Sequence, residues 1–107
     1  MKRVLLDHCV PRTVRRALAS CEVKTTYEMG WSALKNGELL RAAEAKLFDV
    51  FVTADKNLRH QQNLTRSRLA IVSLPTNSVR LLLPHFPAIA AAVNRAAPGT
   101  FEEVLAG

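Results

Sequence analysis

The sequence predicts an α/β fold, with a mostly parallel central sheet of four to five strands and helices on both faces. Three observations carry that expectation. Short apolar or β-branched runs recur at residues 2–6, 22–26, 50–53 and 69–74. Segments with apolar residues at helical spacing lie between them, and charged, Gly or Pro residues bound most of the runs. Strands that alternate with helices build βαβ units, whose crossovers place helices against both sides of the sheet. At 107 residues with 49% hydrophobic content, the chain suits one domain with a packed core.

Each element has its own signal. The run at residues 2–6 stops at Asp7 and suits a buried strand. Pro11 stands where a helix accepts proline as its first residue, and Val14, Ala17 and Leu18 then supply one apolar face. Residues 22–26 read as the second strand. Gly30-Trp31 and Lys35-Asn36-Gly37 bracket a loop. Asn36 is a good N-cap for a helix in which Leu39, Leu40, Ala43 and Leu47 recur. Residues 50–53 and 69–74 give the third and fourth strands. Asn77 or Ser78 caps a longer helical stretch to about residue 97, which Pro84 and Pro87 must kink or split. A short last strand is expected near residues 101–105.

Charge bounds the choice of partner. Fifteen Lys and Arg against nine Asp and Glu give a formal net charge of +6. No acidic residue falls between Lys56 and Phe101, a stretch that holds Arg59, Arg66, Arg68, Arg80 and Arg95, and Arg12, Arg15 and Arg16 form a second basic group. Such a surface attracts polyanions, of which nucleic acid is the usual one in a cytoplasm, and serves solubility equally well. No apolar run approaches the ~18 residues of a spanning helix. Asp7 ends the apolar start before a secretory core forms, so a cytoplasmic protein with no membrane partner is expected. Cys9 and Cys21 lack zinc or redox spacing and read as ordinary buried cysteines.

Ligand sites in open α/β sheets form outside the carboxyl ends of the strands. Asp7 follows the first strand and Asp55 the third, and Glu38 lies in the first turn of the helix that leaves the second. Three carboxylates from distant segments are therefore expected at one edge. Glu28 follows the second strand without a motif behind it, while Glu22, Asp49 and Glu44 belong to the opposite edge. Clustered carboxylates disfavour one another's ionisation, and a bound cation offsets that cost. Ligands that are all oxygen select hard ions such as Mg²⁺. Taken singly, each residue has a plainer role: Asp7 and Asp55 as turn residues, Glu38 as a favourable charge at a helix N-terminus.

Three segments in order carry a family resemblance. Leu5-Leu6-Asp7-His8-Cys9-Val10-Pro11 is similar to the opening strand and turn of small PIN-like proteins related to the VapC ribonuclease toxins. Asn36-Gly37-Glu38-Leu39-Leu40 resembles their central acidic helix, and the segment from Phe48 to Leu58 their third strand with its acidic turn; Gln61-Gln62-Asn63-Leu64 continues the likeness. The resemblance spans about Val4 to Leu74 and weakens beyond. It implies a three-layer PIN-like fold and a Mg²⁺- or Mn²⁺-dependent endoribonuclease, the toxin half of a toxin–antitoxin pair. Asp7, Glu38 and Asp55 fall on the catalytic, metal-binding positions, Thr53 on the polar position that steadies the acidic turn, and His8, Asn36 and Asn57 beside them as supporting residues. A small antitoxin-type partner and a homodimer are implied as well. Two departures stand out: His8 replaces a common Glu, and Asn57 stands where a fourth acid often lies.

Lys56, Arg59, His60 and Arg12 are candidates to hold an RNA backbone, or else a solvated basic face. His8 suits a phosphate or metal contact, or a hydrogen-bonded turn. Trp31 and Tyr27, in the loop after the second strand, read as core or dimer packing ahead of base stacking. Phe48, Phe51, Leu82, Leu83 and Ile89 read as core. Cys9 has no His-Asn partners for nucleophilic work. The rival to a metal-dependent ribonuclease is a degenerate PIN-like module that binds RNA or a protein without catalysis. A phosphatase or receiver-like use of Asp7 lacks a Gly-rich phosphate loop and a Lys motif after the fourth strand.

Overall fold

Strand β3 (Val50–Thr53) is buried along its whole length, and so is its neighbour β4 (Ala70–Ser73). That is the environment a continuous apolar strand requires, with cover on both faces. The protein was analysed as a computed structural model that describes residues 1–55 and 68–104. Lys56, Asn57, Arg59 and His60 lie outside the described residues. With β1 (Arg3–Leu6), β2 (Glu22–Thr25) and β5 (Phe101–Glu103), the strands form one five-stranded sheet in the order β2-β1-β3-β4-β5. All four pairings are parallel.

The pleat divides the core, because alternate strand residues point to opposite faces. Leu5, Phe51 and Ile71 stand in register across β1, β3 and β4. They pack with Leu39, Leu40 and Ala43 of helix α1 (Asn36–Ala45) and with Phe48. Val4, Leu6, Val50, Val52 and Val72 join the other cluster. There they meet Val14 and Leu18 of a 3₁₀ helix (Arg12–Leu18), Leu82 of α2 (Val79–Leu82), and Ile89 and Val93 of α3 (Phe86–Arg95).

Several boundaries refine the expectations. Pro11 is extended (φ −61°, ψ 138°) and precedes the first helix as its N-cap, where its carbonyl accepts from Val14 N at 3.1 Å. That three-residue spacing makes the turn 3₁₀. Lys35, extended at φ −97° and ψ 170°, takes the N-cap place of α1. Its carbonyl accepts the first helical bond from Leu39 N at 2.7 Å, which leaves Asn36 as the first helical residue and not the cap. Pro84 and Pro87 split the last helical region: Ser78 holds the N-cap position of α2 without a side-chain capping bond, a 3₁₀ turn covers Leu83–His85, and α3 begins at Phe86. Leu83 is 52% exposed, whereas Phe48, Phe51, Leu82 and Ile89 are buried as expected. Adjacent residues of a helical turn diverge by about 100°, so Leu82 and Leu83 cannot both face the core.

Two charged residues fasten the amino edge of the sheet. Lys2 Nζ donates to the carbonyls of Val93, Asn94 and Ala96 at 2.8–2.9 Å, closing the C-terminus of α3. Arg3 donates from Nε to Glu22 at 2.9 Å and lies 4.6 Å from the Phe48 ring centroid, and its backbone N donates to Asp49 Oδ2 at 2.8 Å. Glu22 and Asp49 therefore belong to this edge, away from the ends that follow the strands.

Candidate functional site

Asp7 is the first residue beyond β1, and Asp55 stands two residues beyond β3. Strands β1 and β3 are hydrogen-bonded neighbours and parallel, so both residues leave the sheet at its carboxyl edge. The chain runs from β1 outward to β2 and from β3 the opposite way to β4. The two connections diverge between β1 and β3, which makes that gap the topological switch point where such sheets bind ligands.

A hydroxyl ties the two acidic turns together. Thr53 Oγ1 donates to Asp7 Oδ2 at 2.8 Å and accepts from the backbone N of Asp55 at 3.0 Å. Thr53 is fully buried and Asp7 only 4% exposed, so the contact is shielded from water. The other oxygen of Asp7 accepts from its neighbour: Oδ1 lies 2.8 Å from His8 N and 3.0 Å from His8 Nδ1. The Val10 N–H donates to the Asp7 carbonyl at 2.9 Å, folding the chain back into a tight turn.

Cys9 completes this cluster, a placement the sequence did not reveal. Its thiol lies 3.5 Å from Asp7 Oδ2 and 3.8 Å from Thr53 Oγ1, and it accepts from Ala54 N at 3.4 Å. Burial raises the thiol's pKa above its ordinary value, and the Asp7 carboxylate adds to the rise, against hydrogen bonds that lower it. In this arrangement the Cys9 thiol is a donor to Asp7.

The remaining candidates separate. Glu38 is exposed in the first turn of α1, and no hydrogen bond or ion pair among the described residues ties it to Asp7 or Asp55. Among the described residues, no three His, Cys, Asp or Glu side chains group so as to hold a metal ion. Glu28 is engaged locally. Its Oε1 accepts from Thr25 N at 2.9 Å, its own N donates to Thr25 Oγ1 at 3.1 Å, and Arg15 pairs with the carboxylate. That reciprocal Thr-x-x-Glu arrangement is a capping box. The backbone bond from Thr25 is the main cause that lowers the Glu28 pKa; burial opposes it, and the Arg15 side chain lowers it further.

A cleft of about 510 Å³ opens beside Asp7 toward the end of β2, lined by His8, Arg12, Thr26, Tyr27 and Ser32 among others. The two aromatic residues of the loop part company here. Trp31 packs edge-on against Phe48, with ring centroids 6.1 Å apart, whereas Tyr27 is 80% exposed on the cleft. Sequence reasoning sorted only acidic residues by edge; the same rule applied to Thr26 and Tyr27, which follow β2, finds them.

Oxygen donors fit a hard cation, and Mg²⁺ commonly uses one or two carboxylates with several retained waters. Asp7 and Asp55 bring two carboxylates to this edge, and both Asp7 oxygens already accept hydrogen bonds within the chain. No helix among the described residues is long and apolar enough to cross a membrane. Comparison with protein-family models, curated proteins and solved structures gives no match to this chain.

Proposed function

We propose that the protein is a PIN-like, Mg²⁺- or Mn²⁺-dependent endoribonuclease of the cytoplasm, acting as the toxin of a toxin–antitoxin pair. The observation that supports this most is the pair Asp7 and Asp55, set at the switch point between β1 and β3 and linked through Thr53. The resemblance of three ordered segments to PIN-like toxins supplies the reaction and the expectation of an antitoxin and a dimeric state.

In this reading Asp7, Asp55 and Glu38 would hold the cation. When bound, the ion polarises a phosphodiester oxygen and lowers the pKa of a coordinated water. Thr53 fixes the Asp7 carboxylate and the Asp55 backbone in one arrangement, so little reorganisation is needed on binding. His8, whose side chain is 63% exposed, can leave Asp7 Oδ1 and free an acceptor position. The net charge of +6 favours association with RNA.

Calorimetry with Mn²⁺ on the wild type and on the Asp7→Asn/Asp55→Asn double variant tests the site, together with cleavage of single-stranded RNA. Saturable binding and metal-dependent cleavage, both lost in the double variant, are expected. Cleavage retained by that variant overturns the assignment.

A second reading has its own support. Both Asp7 oxygens are already engaged within the chain, and no three-ligand group forms among the described residues. A PIN-like module that binds RNA or a protein without catalysis fits these facts. It requires RNA binding that persists in the double variant with no divalent ion, and no cleavage in the wild type.

A further inference from the structure

Thr26 presents an anomaly beside the site. It is fully buried, and its Oγ1 has no hydrogen-bond partner. Its backbone is already committed, with N donating to Leu6 O at 3.1 Å and the carbonyl accepting from Trp31 N at 2.8 Å. Only the hydroxyl is left over, and a buried hydroxyl without a partner costs stability that Val at the same place would not. Thr26 lines the cleft next to Asp7. Two other buried polar atoms among the described residues lack partners, Thr13 Oγ1 and Arg15 Nε, and neither residue lines this cleft.

The rest of the cleft has a consistent chemistry. Tyr27 exposes 80% of its surface here, unlike Trp31 four residues on, which is packed against Phe48. A large, solvated aromatic face is a platform on which a nucleobase stacks regardless of sequence. Arg12 is exposed at the start of the 3₁₀ helix and forms no ion pair among the described residues, which leaves a guanidinium suited to a phosphate. The volume of about 510 Å³ falls in the range of small-molecule sites.

We propose that this cleft is a nucleotide subsite, which takes one base of single-stranded RNA against Tyr27, its phosphate at Arg12, and a ribose or base-edge polar group at the Thr26 hydroxyl. The subsite deepens the RNA-directed reading of the neighbouring carboxylates and rests on it for the choice of RNA as ligand. It places the nucleotide next to the scissile phosphate on the β2 side of Asp7, so the strand crosses the carboxyl edge from β2 toward β3.

The test is fluorescence anisotropy with a labelled single-stranded oligoribonucleotide of about 12 residues, in EDTA so that no divalent ion contributes. Tyr27→Ala should weaken binding about ten-fold, and Tyr27→Phe, which keeps the stacking face, about two-fold or less. Thr26→Val should weaken binding several-fold without lowering the melting temperature, a combination that a purely structural hydroxyl would not produce. Affinity unchanged in both Tyr27→Ala and Thr26→Val, or no RNA binding by the wild type, overturns the subsite. Metal-dependent cleavage is read separately. Binding that depends on Tyr27 without any cleavage keeps the subsite and removes the nuclease; cleavage with Tyr27-independent binding does the reverse.

Discussion

Thr53 carries more of the site's geometry than either carboxylate it serves. Its hydroxyl touches both acidic turns directly, at 2.8 Å and 3.0 Å. Thr53→Val keeps the shape and removes the bridge, leaving Asp7 short of a donor in a buried place. We expect a loss of about 1–3 kcal/mol in denaturant unfolding, and a roughly 10- to 100-fold weaker Mn²⁺ affinity by calorimetry, the usual effect of removing a residue that orients a ligand. Thr53→Ser should recover most of both. Glu28 gives a pH signature of a different kind. Its folded pKa lies below the ordinary carboxylate value, so its contribution to stability is present above the unfolded pKa and is lost as pH falls through the folded one. Melting curves of Glu28→Gln should therefore fall below the wild type at neutral pH and converge with it in acid, a modest effect because the carboxylate is well exposed.

Helix ends hold two features that composition alone does not disclose. Helix α1 closes with Phe48 N donating to Ala43 O and Leu47 N to Glu44 O, each at 3.0 Å. This is the Schellman arrangement, which needs a left-handed residue between them. Leu47 fills that place at φ +62° and is 74% exposed, so its side chain gains little from packing to offset the strain. Leu47→Gly should raise stability by roughly 0.5–1 kcal/mol, after the greater chain entropy of unfolded Gly is subtracted. At the end of α3, the three carbonyls held by Lys2 make that residue a cap supplied from the far end of the chain. Lys2→Met should cost about 1–2 kcal/mol by denaturant unfolding and leave the carboxyl-edge site unchanged. Lys2 and Arg3 thus fasten the amino edge of the fold, away from the carboxyl-edge site.

Over the whole molecule, the strand order sets where chemistry can occur. With β1 and β3 adjacent and their connections leaving in opposite directions, the switch point at the carboxyl edge falls beside Asp7 and Asp55. The basic charge acts at longer range and is screened by salt. RNA affinity should fall steadily with ionic strength, with a log–log slope of about −0.7 for each phosphate contacted by a single strand. Arg12→Ala should make that slope shallower by about 0.7 in anisotropy titrations, and an unchanged slope would remove Arg12 from the phosphate contacts.

The sequence by itself determined the element order and the edge. Residues 50–53 and 69–74 are short, apolar and rich in β-branched residues, which favours buried strands; Pro84 and Pro87 must break a helix, and a carboxylate directly after a strand projects from the carboxyl end. Tertiary structure decided which side chains share a hydrogen bond, because that depends on register between segments tens of residues apart. Register across β1 and β3 brings Thr53 onto Asp7 and sets Cys9 between them, while Glu38, only one turn into its helix, makes no bond to either. It also decided which of two loop aromatics faces water: Trp31 found Phe48, and Tyr27, pinned by the capping turn of Thr25 and Glu28, did not. Local sequence fixes the direction of the chain, but only packing fixes which polar groups are left without partners, and Thr26 is one of these.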